Sequence, residues 1–127
     1  MLATLRRMVR ERAGGRCEYC RLPQESSVLP FHIEHIVPRQ HGGVTGGDHL
    51  AHACPHCNLH KGPNLTGIDP DSGEVCRLFH PRRDVWTGHF RDQGARLAGR
   101  TAIGRTTAWV LDVNAENQLR LRSAEPQ

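Results

Sequence analysis

Phe31-His32-Ile33-Glu34-His35-Ile36-Val37-Pro38 stands between two Cys-x-x-Cys pairs, Cys17/Cys20 and Cys54/Cys57, and the second pair runs directly into Asn58-Leu59-His60-Lys61. Two residues between cysteines let one turn present both sulfurs to a single ion, and two such turns close a tetrahedral zinc site. The 33 residues between the pairs exceed the commoner ribbon spacing. Two disulfides or a thiol redox centre are the alternatives. Neither suits the first residues, which alternate Arg with apolar side chains, show no secretory signal, and make a reducing, cytoplasmic compartment the expectation.

Inside that frame, Phe31 and Ile33 share one face of a strand expected over residues 28–37, with His32 and Glu34 on the other. The apolar phase then breaks at Ile36 and Val37, which predicts a bulge at Glu34-His35 that brings both side chains toward one point. Pro38 ends the strand. Residues 39–47 hold four glycines in two pairs and form a specially shaped loop. Leu50, Ala51 and Ala53 give a short second strand. Pro55 suits a first helical position, and the helix from Pro55 to Lys61 stops at Gly62-Pro63. Asn58 and Lys61 then lie three apart on one side of it.

In order, C-x-x-C, I-E-H-I-V-P, H-G-G, H-L and A-C-x-x-C-N-x-x-K-G, spanning Cys17 to Gly62, resemble the HNH endonuclease family. The resemblance implies an α+β fold: a ββα-metal (His-Me finger) nuclease core with a structural four-cysteine zinc site and, here, a C-terminal β/α extension. It implies a metal-dependent hydrolase that cuts DNA phosphodiester bonds to a 5′-phosphate and a 3′-hydroxyl. Carried over residue by residue, His35 is the general base, and Glu34 and Asn58 hold a catalytic divalent ion, Mg²⁺, Mn²⁺ or similar. His49 takes the middle position, usually Asn, which steadies the loop and backbone around the base. The chemistry agrees independently, because phosphodiester hydrolysis needs a base for water, a cation against developing charge, and correct placement. Imidazole is the usual base, and oxygen donors suit a Mg²⁺-like ion.

Outward from the motif the signals thin. The chain has 127 residues with 37% hydrophobic and 5% aromatic content, so a metal staple compensates for a modest core. The formal charge is +4, and sixteen of the seventeen basic side chains are Arg, a composition suited to phosphate recognition or simply to solvation. No apolar run approaches membrane-spanning length. Lys61, His32 and His60 are candidate substrate contacts; the competing readings are helix C-terminal charge complementing the dipole for Lys61 and surface exposure for the two histidines. His56 is expected on the knuckle surface, while His41 and His52 take no role.

Residues 4–13 form a helix stopped by Gly14-Gly15. Residues 1–68 are expected to make the nuclease core and 69–127 an extension packed on it as one compact domain. The extension holds a turn at 69–74, a strand through Val75 and Phe79 with Cys76 a free buried thiol, a hairpin around Gln93-Gly94, and a helix over 104–111. Asn114 is expected to cap a last helix reaching Arg122, and Trp86 and Trp109 to anchor the core. The rival to a nuclease is a zinc-stapled nucleic-acid-binding module that never cuts; a purely structural zinc domain is the third reading. A compact site without an evident specificity domain suggests a partner protein that delivers the substrate.

Overall fold

The computed structural model describes residues 1–123. Helix α1 (Ala3–Arg12) buries Val9 and gives way at Gly14 and Gly15, both with positive φ. The first knuckle follows: Arg21 N donates to Cys17 O at 3.0 Å, and Cys17 N to Leu22 O at 2.9 Å. This turn places Arg21 in the left-handed region, φ 66°.

Strands β1 (His32–His35) and β2 (Leu50–Ala53) are antiparallel, pairing His32 with Ala53, Ile33 with His52, Glu34 with Ala51 and His35 with Leu50. The expected bulge at Glu34-His35 is absent. The register runs unbroken and continues as Ile36 N donates to His49 O at 2.9 Å. The phase break has another cause: the inward side of β1 carries Glu34 and Ile36, both buried, so the polar residue lies where a period-two reading expects an apolar one. Glu34 and His35 therefore leave opposite faces of the strand.

The glycine loop closes tightly on the strand end. A Cβ at Gly43 would lie 1.7 Å from Val37 O, so no larger residue fits there. Helix α2 (Pro55–Lys61) starts as its sequence predicts, with Cys54 as N-cap accepting from Cys57 N and Pro55 in the first turn, and it ends at Gly62 with φ 49°. One turn thus serves as both helix cap and second knuckle.

Beyond α2, β3 (Thr66–Ile68) pairs with β4 (Val75–Arg77), so a hairpin straddles the expected boundary between residues 68 and 69. Then come α3 (Trp86–His89), the hairpin β5 (Phe90–Gln93) with β6 (Arg96–Gly99), α4 (Ala102–Val110) and α5 (Glu116–Ser123). Helix α4 lies against β3, β4 and β6. Its contacts with β6 and with the end of α3 are close: a Cβ at Gly99 would meet Arg105 N at 2.3 Å, and one at Gly104 would meet His89 O at 1.9 Å.

Several expectations for this half change. Trp86 is an anchor, stacked on Phe90 at 5.2 Å with its Nε1 donating to Tyr19 O at 2.8 Å, whereas Trp109 is 69% exposed on α4. Asn114 caps no helix; its amide bridges Leu97 N and Leu97 O, both at 2.9 Å. Cys76 is half-buried, on the hairpin β3–β4. The last four residues of the expected extension lie outside the described residues.

The extension meets the motif region at named points. Besides the Trp86 contact, the Arg21 guanidinium sits 4.4 Å from the Trp86 ring, Phe79 packs edge-on to Tyr19, and Arg82 pairs with Glu18. Among the described residues no helix is long and apolar enough to cross a membrane.

Candidate active site and zinc centre

The two knuckles bring Cys17, Cys20, Cys54 and Cys57 together, all fully buried, with their sulfurs within 4.8 Å of one another. In each pair the later backbone N–H points at the earlier sulfur: Cys20 N to Cys17 Sγ at 3.5 Å and Cys57 N to Cys54 Sγ at 3.4 Å. Gln118, on α5, directs its amide Nε2 at Cys20 Sγ (3.9 Å) and Cys54 Sγ (3.7 Å). Bonds among the thiols, that from Cys17 first, hold Cys54 far below the ordinary thiol range while they raise Cys20 and Cys57 above it, as expected when one thiolate accepts from its neighbours. Buried sulfurs this crowded, with amide donors aimed at them, are arranged for thiolate, and the group fits a structural zinc ion.

His35 is half-buried at the end of β1. Its Nε2 meets Thr45 Oγ1 at 2.8 Å, a contact across the glycine loop. Burial first, then the charge of Arg39, lowers the pKa of the imidazole below its ordinary value. It is therefore neutral and able to accept a proton at pH 7.

Glu34 has a different environment. It is 8% exposed; Oε1 accepts from the Tyr19 hydroxyl, and Oε2 accepts from Lys61 Nζ at 3.1 Å. Lys61 also donates to Ile36 O at 2.9 Å. Burial raises the Glu34 pKa, while the Lys61 charge and the Tyr19 bond pull it back. The Tyr19 hydroxyl is raised well above its usual range by burial and then by the Glu34 charge. Lys61, expected as a substrate contact, is 2% exposed, with its ammonium on Glu34 and a backbone carbonyl.

Asn58 lies half-buried on α2, three residues before Lys61. The carboxylate and amide oxygens of Glu34 and Asn58 suit a hard dication in type. The Glu34 oxygens already serve an ammonium, so a dication and Lys61 compete for them. His49 is half-buried and contributes through its backbone, accepting from Ile36 N and donating to Gly46 O at 3.0 Å. His32 is exposed at the start of β1. His60 turns toward His56, the two rings stacking at 4.0 Å. His52 is buried, with Nε2 on Gln24 Oε1 at 3.1 Å and its ring against Phe31.

Three participants escape the sequence reading: Tyr19, Thr45 and Gln118. Tyr19 carries a signal, being an aromatic hydroxyl between two metal-ligand cysteines. Thr45 and Gln118 carry none, because nothing local ties them to His35 or to sulfurs far away in the chain.

Residues 17–64 match the family described as HNH endonuclease. No curated protein and no solved structure matches the chain. Over those residues the chain is similar to HNH domains, and that similarity points to nucleic acid as the partner.

Proposed function

We propose that the protein is a metal-dependent HNH endonuclease that hydrolyses DNA phosphodiester bonds, with His35 as general base. The observation that carries this reading is the state of His35 within the HNH segment: half-buried, held at Nε2 by Thr45, and favoured neutral by burial and by Arg39. With Nε2–H donating to Thr45 Oγ1, Nδ1 keeps the lone pair and takes the proton from the attacking water. Thr45 fixes the ring so that its base nitrogen does not wander. His49 holds the strand end through Ile36 N, keeping the backbone beside the base in register.

Glu34 and Asn58 would hold the divalent ion. When bound, that ion neutralises charge accumulating on phosphate and on the leaving oxygen. Lys61 is the group that must yield or share at Glu34, and Tyr19 keeps the carboxylate in place through Oε1. Arginines on the surface supply phosphate contacts along the DNA backbone.

A binding-only module is the second reading, and two observations favour it: Glu34 is already satisfied by Lys61 and Tyr19 without any metal, and it leaves the opposite face of β1 from His35. Supercoiled plasmid with Mg²⁺ or Mn²⁺ separates the two. The nuclease gives nicked or linear product, and His35→Ala lowers the rate by roughly 10²- to 10⁴-fold with zinc content and DNA affinity unchanged. Cleavage should rise with pH and level off by neutrality, because the free base forms below its ordinary pKa. Retarded DNA with no product under either ion establishes the binding module instead.

A further inference from the structure

One side of α2 carries His56 and His60, one helical turn apart, and both meet the turn that ends α4. A ring nitrogen of each and a carboxylate oxygen of Asp112 all lie within 4.8 Å of one another. The histidines are half-buried and Asp112 is exposed, so the cluster opens to solvent on one side.

The hydrogen bonds around the cluster define which nitrogens are free. His60 Nδ1 bonds His56 O at 2.9 Å, and His56 Nε2 bonds Asp112 O at 2.8 Å. A backbone carbonyl only accepts, so the bonded nitrogen carries the proton in each ring. The lone pair is left on Nε2 of His60 and on Nδ1 of His56. This is the arrangement of metal-binding histidines, in which the second ring nitrogen is anchored on a carbonyl. Asp112 is held in the left-handed region, φ 47°, a conformation Asp tolerates better than most residues.

We propose that His56, His60 and Asp112 form a second metal site, separate from the four cysteines, for a transition-metal dication of the zinc, nickel or copper type. Imidazole with one carboxylate selects such ions over Mg²⁺ or Ca²⁺. Bond lengths of about 2.0–2.1 Å set tetrahedral ligand atoms roughly 3.4 Å apart, so rotations of about 1 Å close the set. Three protein ligands leave one position for water or an incoming group. The ion clips α2, within the HNH segment, to the turn between α4 and α5, outside it. Without metal the same three residues form only a stacked, hydrogen-bonded contact.

The test uses the full chain with its cysteine site already loaded with zinc, titrated with Zn²⁺, Ni²⁺ or Co²⁺ and followed by calorimetry and metal analysis. A second equivalent should bind, at micromolar levels and more weakly than the first, and raise Tm. In His60→Ala and Asp112→Asn that second equivalent should weaken by about tenfold or more, with one zinc still retained. Retention of that zinc shows that the variants fold. His60→Gln, which keeps bulk without an imidazole, should behave as His60→Ala does. With Co²⁺ the second ion should add a weak visible band and no sulfur charge-transfer band. Binding that stops at one equivalent in 100 µM metal (about a hundredfold excess over a micromolar Kd) overturns the proposal, as does a second equivalent unaffected by these substitutions.

Discussion

Residues 17–64 bury four thiols, a carboxylate, an ammonium and an imidazole, whereas residues 65–123 are packed chiefly around Leu78, Phe79, Trp86, Phe90, Leu97, Leu111 and Val113. In the first region each buried group depends on a specific partner, so losing one leaves another stranded. In the second, apart from the ion pairs of Asp69 with Arg105 and of Asp84 with Arg77, cohesion is mostly a matter of filled volume. The first region is the one that matches a family, and its side chains are constrained by chemistry at fixed positions. The second admits more substitutions of similar size, which leaves less for a family model to recognise.

The sharpest way to break this contrast is to remove the metal from the cysteines. Stripping zinc with a strong chelator should unfold residues 17–64, since structural sites of this kind contribute on the order of 10 kcal/mol. Circular dichroism and metal analysis follow it, and native spectra after full stripping would contradict the contrast outright.

The ion pair at the base of the site ranks next. Lys61→Ala strands Glu34 in a buried position and should cost about 3 kcal/mol or more in urea unfolding. The double variant Glu34→Gln/Lys61→Met, which removes both charges, should recover most of that loss. Equal losses in the single and double variants would mean that packing, not charge pairing, governs this spot.

For the extension, Trp86→Ala should cost about 3 kcal/mol through lost volume and the lost bond to Tyr19 O. Trp109→Ala, at an exposed position, should stay within about 0.5 kcal/mol. A comparable drop in Tm for both would show that the surface of α4 is covered in solution.

The smallest effect is electrostatic. Bonds from Arg77 lower Asp84 from 3.8 to about 2. Because the folded-state value is depressed, the contribution is present above the unfolded value near 3.8 and disappears as pH falls toward 2. Arg77 is half-exposed, so solvent screening leaves roughly 1 kcal/mol. Asp84→Asn should therefore be less stable than the parent by that amount at pH 6 and equal to it near pH 2.

How far the sequence speaks differs in the same way between the regions. Cysteine spacing, Pro55 and Gly62 set the knuckles and α2 nearly to the residue, because ligand geometry and capping act locally. The inward side of β1 defeats a reading by alternation, which assumes that buried means apolar; Tyr19 and Lys61, distant in sequence, are what let Glu34 face inward. Trp109 departs from expectation for the opposite reason: a large aromatic side chain implies burial, yet α4 covers β3, β4 and β6 with its other side. Thr45 and Asp112 act through loop and turn positions that no periodicity marks.

Gln118 reaches sulfurs that precede it by 98 and 64 residues. Chains are synthesised from the N-terminus at roughly 5–20 residues per second, so α5 leaves the ribosome several seconds after the last cysteine. The four-sulfur ligand set therefore exists in the growing chain before its amide donor does. A zinc ion bound there would be captured early, and its release would then be opposed by a helix that arrives later.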